Sequence, residues 1–551
     1  MSPADLARLY GMAMEQWGED AERRIIGEYC TVIAEPASAK LRLARSPLRA
    51  PPLYYCQDDR LIAAASVPRA LFAAGIDRRL NETRIADWLM RNLSDAEASP
   101  FEDILQVPTG SIVELAYGQP RRLRKWYDHR EIPFLEATDD AAVIARVEEL
   151  LDEGVRACLA GFRRPGSTLS AGLDSPQVAL RALAALPDGE RLPTFTFHPE
   201  ADFDGLAPRW QMGDERPTVE AFAAMHPRLD AHFTDNAGRE HDYKCRELFH
   251  LTGDPAGING TYVLHGLLSE AAKVNCDVLL LADWGNVTFS DRGETGFVEY
   301  LLTGQWRQLW LALRRPPIHH GSILRRFASR TLAALLPVGL RVPLRRLLTG
   351  KASLSDVARP LSREYRQTSG AEGRLKRSGL DADRHQPRNR REFRALLLDG
   401  GDAAPLHQGL EQMYGVALRD PTAYRPFVEY CLSLPTRMFM RDGEMRWLAK
   451  QMARGLMPEQ QRSNALNGWW DADWHLRIGR RRAEWLAELD RIEKDERLGQ
   501  MLDVPRLRAA LEDWPSQTET DPHKAFAVQL AVPTALIAAR FVNYVEGRNE
   551  P

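Results

Sequence analysis

One six-residue turn constrains the fold more than any other feature: Ser170-Ala171-Gly172-Leu173-Asp174-Ser175, set between the short apolar run Ser167 to Leu169 and Pro176. Beyond it, Val178, Ala179, Ala182, Leu183 and Leu186 recur at the spacing of one helix face. Pro176 suits a first helical turn, where its missing N–H would be unpaired anyway. A strand, a tight small-residue turn and a helix start make a physical anion site, because backbone N–H groups and the positive end of the helix dipole converge there. Asp174 adds a carboxylate where a Mg²⁺ bound to pyrophosphate needs an oxygen ligand. The same residues also suit a plain helix cap with Asp174 or Ser175 as the capping residue, and spacing alone does not separate the two.

Two further apolar runs favour the anion site. Thr194 to Phe197 stops at His198-Pro199, and Val278 to Leu281 stops at Ala282-Asp283-Trp284-Gly285-Asn286. Three buried strands ending in small, polar or acidic residues place those groups on one edge of a parallel sheet, where ligands of open α/β sheets bind. His198, a loop histidine stopping a strand, reads as structural. From about residue 137 the texture is helical, beginning with Ala141 to Ala160, and then alternates helices with short strands, which signals a parallel α/β domain. Residues 1–130 instead alternate short apolar runs with turns, at Ile26 to Ile33, Leu41 to Ala44, Pro52 to Cys56, Leu61 to Ala65 and Ser111 to Ala116, and predict a mainly β lobe. Beyond about 300 the chain reads as helical and Arg-rich, with a loose, mobile insertion near 366–405. The expected division is 1–130 and 137–551.

Composition narrows the partners. The 73 basic and 76 acidic residues leave a net charge of −3, without the basic excess that a main partner of nucleic acid demands. The six cysteines are scattered with no C-x-x-C pair, against a zinc site or a disulfide framework. No charged, apolar leader opens the chain and no run of 18 apolar residues follows, so a cytoplasmic address with no integral membrane segment is expected. A basic amphipathic stretch holds Arg314, Arg315, Arg325, Arg326, Arg330, Arg341, Arg345 and Arg346. It reads as solvated helix faces, with an anionic membrane surface as the alternative.

Ser170 to Ser175 resembles the pyrophosphate loop Ser-Gly-Gly-Leu-Asp-Ser of the asparagine synthetase family, with Ala171 in place of a glycine. The resemblance continues upstream through Ala44 to Leu48, Pro52 to Tyr55 and Leu105 to Gly110, similar to the later half of that family's glutaminase-like lobe. Downstream it continues through Leu418 to Pro421, Phe427 to Tyr430, Leu432 to Pro435 and Gly455 to Pro458. A glutaminase needs a cysteine at the mature N-terminus. Ser2 stands near the start here, so the lobe is expected to be degenerate or its start assigned too late. The family's acidic loop is replaced by Ala282 to Ser290, whose Gly-Asn-x-Thr-x-Ser pattern resembles the macrolactam synthetases that close lasso peptides. Gly468 through Asp473-Trp474 also resembles a segment of those cyclases, although Asn467 stands where relatives carry Lys or Arg before the glycine.

The resemblance implies an α/β fold: a parallel-sheet ATP-pyrophosphatase domain with a helical C-terminal part, behind a degenerate, mainly β glutaminase-like lobe. It implies ATP and Mg²⁺, with adenylation of a carboxylate and release of pyrophosphate. Ser170, Ala171, Gly172, Leu173, Asp174, Ser175, Phe197 and Gly285 would hold the nucleotide, and Asp174 and Asn286 the metal. Asp283 and Asn286 would be catalytic, with Asp283 orienting or deprotonating the amine. In a lasso cyclase the carboxylate is an Asp or Glu side chain of a core peptide and the nucleophile is that peptide's own N-terminal amine. The implied partners are the precursor peptide, a leader-binding protein and a leader peptidase, with no nucleic acid. Trp284, Trp469, Trp470 and Trp474 are candidates to line such a cleft, or to pack the core. The competing readings are an asparagine synthetase or other small-molecule amide ligase, and a non-catalytic scaffold.

Overall fold

Five parallel strands form the central sheet, in the spatial order Leu229–Thr234, Leu192–Phe197, Pro165–Thr168, Val278–Leu280, Ala417–Arg419. The computed structural model describes residues 3–136, 139–255, 260–315, 322–349, 353–379, 381, 387–398 and 402–548. Leu192, Phe195, Val278, Leu279 and Leu280 are all buried, the near-continuous apolar pattern of strands covered on both faces. One covering helix, Asp140–Leu159, starts where the Asp139 carboxylate accepts from the Ala141 and Ala142 amides, and it buries Val143, Val147, Leu150, Leu151 and Val155. Helix Asp174–Ala185 lays Val178, Ala179, Ala182 and Leu183 into the same core. The expected α/β class with a parallel sheet is present.

Ahead of this sheet, Cys30–Glu35, Lys40–Arg45, Ser111–Ala116 and Arg122–Lys125 pair antiparallel in that order. A second sheet orders Ile62–Ala65, Tyr54–Gln57 and Leu105–Gln106. Strand alternation splits Tyr54–Gln57 between two cores. Tyr55 joins Leu43, Leu53, Val107, Val113 and Leu115 inside the lobe, whereas Tyr54 and Cys56 join the C-terminal helices. The lobe also carries helices, among them Pro3–Trp17, Pro68–Ala73 and Glu82–Leu89.

The stretch near 366–405, expected to be loose, is largely helical: Arg363–Thr368, Ala371–Ser378, Arg390–Leu398 and then Ala404–Tyr414. Gly370 and Gly379 act as punctuation, flanking a helix in left-handed backbone, while Gly373 lies within it. Two of its arginines, Arg390 and Arg394, are buried. Arg390 donates to the Asp291 carboxylate (3.0 Å) and the Leu434 carbonyl (2.9 Å), and Arg394 donates to the Cys431 carbonyl. Positions 380, 382–386 and 399–401 of that expectation lie outside the described residues. Pro522–Val545 is apolar enough to span a membrane by length and composition, with mean hydropathy 1.7, but 72% of that window is buried inside the protein.

Candidate active site at the sheet's switch point

The strand order reverses between Pro165–Thr168 and Val278–Leu280, and the crevice beyond strand ends at such a reversal is where open α/β sheets bind ligands. The 170–175 turn leaves the first of these strands and the 282–286 segment leaves the second. Both line one cavity of about 630 Å³.

The turn is held from inside. Ser170 N donates to Ser175 Oγ (2.9 Å), the two hydroxyls lie 2.9 Å apart, and Gly172 N donates to Ser170 Oγ (3.2 Å). Leu173 is buried in the core. Ala171 N donates to Glu215 Oε2 (2.6 Å), so this expected nucleotide-binding amide is already engaged by a buried carboxylate. Glu215 lies tight against Gly468, where any Cβ would overlap it. Gln461 Nε2 donates to the Gly172 carbonyl (3.1 Å) from below. What remains for an anion is the first turn of helix Asp174–Ala185, whose leading amides have no intrahelical acceptor. Glu215 and Gln461 carry no local motif, and nothing in the sequence marks them.

Asp174 is 9% exposed, and its Oδ1 has no hydrogen-bond partner. Burial pushes its carboxyl up from the ordinary range, against the pull of the Arg446 guanidinium. Gly285 backs onto it: a Cβ there would sit 2.6 Å from Asp174 Cγ, so a side chain at 285 would displace the carboxylate. The Gly285–Val287 turn is closed by Thr288, whose hydroxyl donates to the Trp284 carbonyl (2.7 Å). Among the described residues no group of three or more His, Cys, Asp or Glu side chains forms a metal cage. One orphaned carboxylate oxygen beside an anion site nevertheless fits Mg²⁺, which usually takes one or two carboxylates and completes its shell with substrate phosphates and water.

Asn286, which the resemblance implies as the second metal ligand, is engaged by a guanidinium in this structure. Its Oδ1 accepts from Arg446 Nη2 at 2.8 Å, and the same nitrogen lies 3.3 Å from Asn467 Oδ1. A guanidinium on that oxygen would repel a divalent ion there, so the positive charge at this position comes from the protein. Arg446 stands 21 residues before Asn467, in left-handed backbone (φ 56°) between the Met440–Arg441/Glu444–Met445 hairpin and helix Trp447–Met452. A search of the positions flanking Gly468 does not reach it.

Asp283 opens onto the cavity, at its exposed mouth, and desolvation by the surrounding protein with the neighbouring Asp420 carboxylate pushes its carboxyl up from the ordinary range, opposed by Arg49 of the N-terminal lobe. Asp420 is fixed by the Trp284 amide (3.2 Å) and the Thr422 amide (2.8 Å). Arg49 is fixed by the Leu418 carbonyl (2.9 Å). Phe197 lines the cavity as expected. His198 Nδ1 lies 2.8 Å from the Pro199 carbonyl, a local contact. Of the four tryptophans only Trp470 lines the cavity, with its Nε1 donating to the Gly260 carbonyl (3.0 Å), whereas Trp469 and Trp474 are core. Asp473 is tied to Arg477 (2.7 Å) and Tyr262 (3.0 Å), a buried structural network.

In the N-terminal lobe, burial pushes the thiols of Cys30 and Cys56 upward, away from the thiolate that a glutaminase nucleophile requires. Residues 10–127 nevertheless match the family model described as glutamine amidotransferase domain. Residues 146–538 match the family model described as asparagine synthase. A search of curated proteins finds no match. The family uses ATP, and the turn, the switch point and Asp174 are where such a domain needs its phosphate-binding groups. The chain thus belongs to the asparagine synthase family, as an ATP-dependent amide ligase that forms AMP and pyrophosphate.

Proposed function

We propose that this ligase closes the macrolactam ring of a lasso peptide, joining an Asp or Glu side chain of a core peptide to that peptide's N-terminal amine. The observation that carries this reading is the cavity's apolar lining. Beside the phosphate turn and Asp283 it presents Phe197, Leu267, Val287, Phe393, Leu397, Leu466 and Trp470. Free aspartate offers such side chains nothing to bury, while a folded peptide does. The Gly285-Asn286-x-Thr288-x-Ser290 turn supports the same reading.

In this reading the peptide carboxylate attacks the α-phosphorus of ATP and pyrophosphate leaves. The amine then attacks the acyl carbon and AMP departs with the carboxylate oxygen, so the peptide loses one water. The first-turn amides of helix Asp174–Ala185 hold the phosphate tail, and Arg446 meets the charge of the departing pyrophosphate. Asp174 would hold a Mg²⁺ ion, whose chemistry would be to neutralise charge on the leaving pyrophosphate. Asp283, raised toward neutrality, takes the proton of the attacking amine. The partners are the precursor peptide, a leader-binding protein and a leader peptidase.

A second reading, asparagine synthesis from aspartate, is favoured by the amidotransferase match over 10–127. Incubation with ATP, Mg²⁺, precursor and peptidase, and in parallel with ATP, Mg²⁺, aspartate and glutamine or ammonium, followed by mass spectrometry, separates the two. A core peptide lighter by one water supports cyclisation. Asparagine formed from aspartate, with the peptide unchanged, refutes it.

A further inference from the structure

Residues 301–350 contain nine arginines and no lysine, aspartate or glutamate, in a chain whose net charge is −3. Their helices are also unusual in which faces they expose. Helix Trp306–Arg314 buries Leu309, Ala312 and Leu313 on one side, yet turns Trp306 (61% exposed) and Trp310 (50% exposed), one turn apart, to the other. The guanidinium of Arg314 lies over the Trp310 ring, 5.6 Å from its centroid. Helix Val338–Thr349 turns Leu340, Leu344 and Leu347 outward at i, i+4 and i+7, while Arg341 is buried. Leu324, in helix Ile323–Phe327, is 79% exposed beside the exposed Arg325. A solvated helix has the opposite polarity, with its apolar stripe inward. The expectation of solvated faces therefore fails on the apolar side chains, not on the arginines.

We propose that the helices of residues 306–349 are a docking surface for an anionic phospholipid membrane, with tryptophans and leucines entering the interface and arginines meeting lipid phosphates. Charge complementarity selects the occupant. A uniformly basic stretch attracts an anionic leaflet without needing a matched partner shape, and Trp beside Arg is the pairing that sits at a headgroup boundary. Part of the charge is held within the protein, since Arg307 pairs with Asp442 (3.1 Å) and Arg330 with Glu294 (3.9 Å). The apolar side chains therefore carry a share of the binding that salt does not screen.

The test is flotation of the full chain with phosphatidylcholine vesicles, with and without phosphatidylglycerol. The expected result is about tenfold more floated protein when phosphatidylglycerol is present, with partial loss at high salt. Two surface variants, Trp306→Ser with Trp310→Ser, and Leu340→Ser with Leu344→Ser and Leu347→Ser, keep the wild-type melting temperature and each lose most of the flotation. No flotation, flotation indifferent to phosphatidylglycerol, or both variants floating like wild type would overturn the proposal. Binding to polyglutamate without flotation would overturn it in favour of an acidic polypeptide.

Discussion

Arg45 and Asp174 are both buried and charged, one in the N-terminal lobe and one at the switch point, and their surroundings differ in kind. Arg45, 1% exposed, gives its guanidinium to the Pro51, Val107 and Ala50 carbonyls at 2.7 to 2.9 Å and to the Asp402 carboxylate at 2.9 Å. Asp174, 9% exposed, keeps one carboxylate oxygen with no partner, in a cavity wall. Burying an unpaired charge costs free energy that the fold does not recover. A charge satisfied on all sides marks scaffold, and a buried carboxylate left unpaired in a cavity wall marks a place kept for something to bind. Arg45 therefore holds the N-terminal lobe together, while Asp174 in the parallel-sheet domain keeps an oxygen without a partner.

That contrast breaks or sharpens with substitutions. The largest effect is expected from Asp174→Asn, which keeps the shape and removes the charge. Pyrophosphate release should fall by about 10³-fold, with an unchanged or higher melting temperature at pH 8 because a carboxyl raised by burial is costly when ionised. Loss of stability with activity retained would make Asp174 scaffold. Arg45→Ala should do the reverse, costing about 3 kcal/mol of stability in urea unfolding while the folded fraction releases pyrophosphate at the wild-type rate. Arg446→Ala should slow pyrophosphate release about 10²-fold, with partial recovery in Arg446→Lys. An unaffected rate would leave the charge opposite Asn286 without a role. The smallest effect joins the two halves. Asp283 is raised above the ordinary carboxylate range and works as a base only when ionised, so the amide-forming rate should rise with pH along a limb that lies above that of a free carboxylate. Arg49 favours the ionised form, so Arg49→Gln should move that limb to higher pH. A limb that stays in place would uncouple the lobe from the site.

Much of the site was legible because its signals are local. The 170–175 turn, Pro176 and the helix spacing beyond it lie within 20 residues, and the strands ending at Phe197 and Leu280 follow from short apolar runs. Arg446, Glu215 and Gln461 were not legible, since each reaches the site from a distant segment and none belongs to a repeating pattern. For the same reason the guanidinium on the Asn286 oxygen could not be anticipated. Near 366–405, Gly and Arg content reads as loop, but Gly370 and Gly379 flank a helix and Arg390 anchors another against Asp291. In the lobe the strand expected at 26–33 forms at Cys30–Glu35, because apolar content marks a strand and its register is set by pairing with Lys40–Arg45.

The central claim is that the unpaired Asp174 carboxylate serves the phosphate tail of a bound nucleotide. Calorimetric titration with α,β-methylene-ATP, with Mg²⁺ and then with excess chelator, tests it on the intact protein. Wild type should bind one nucleotide, about tenfold or more tighter with Mg²⁺, and Asp174→Asn should bind with the same affinity in both conditions. No binding by wild type, or a Mg²⁺ dependence that survives in Asp174→Asn, would contradict the account.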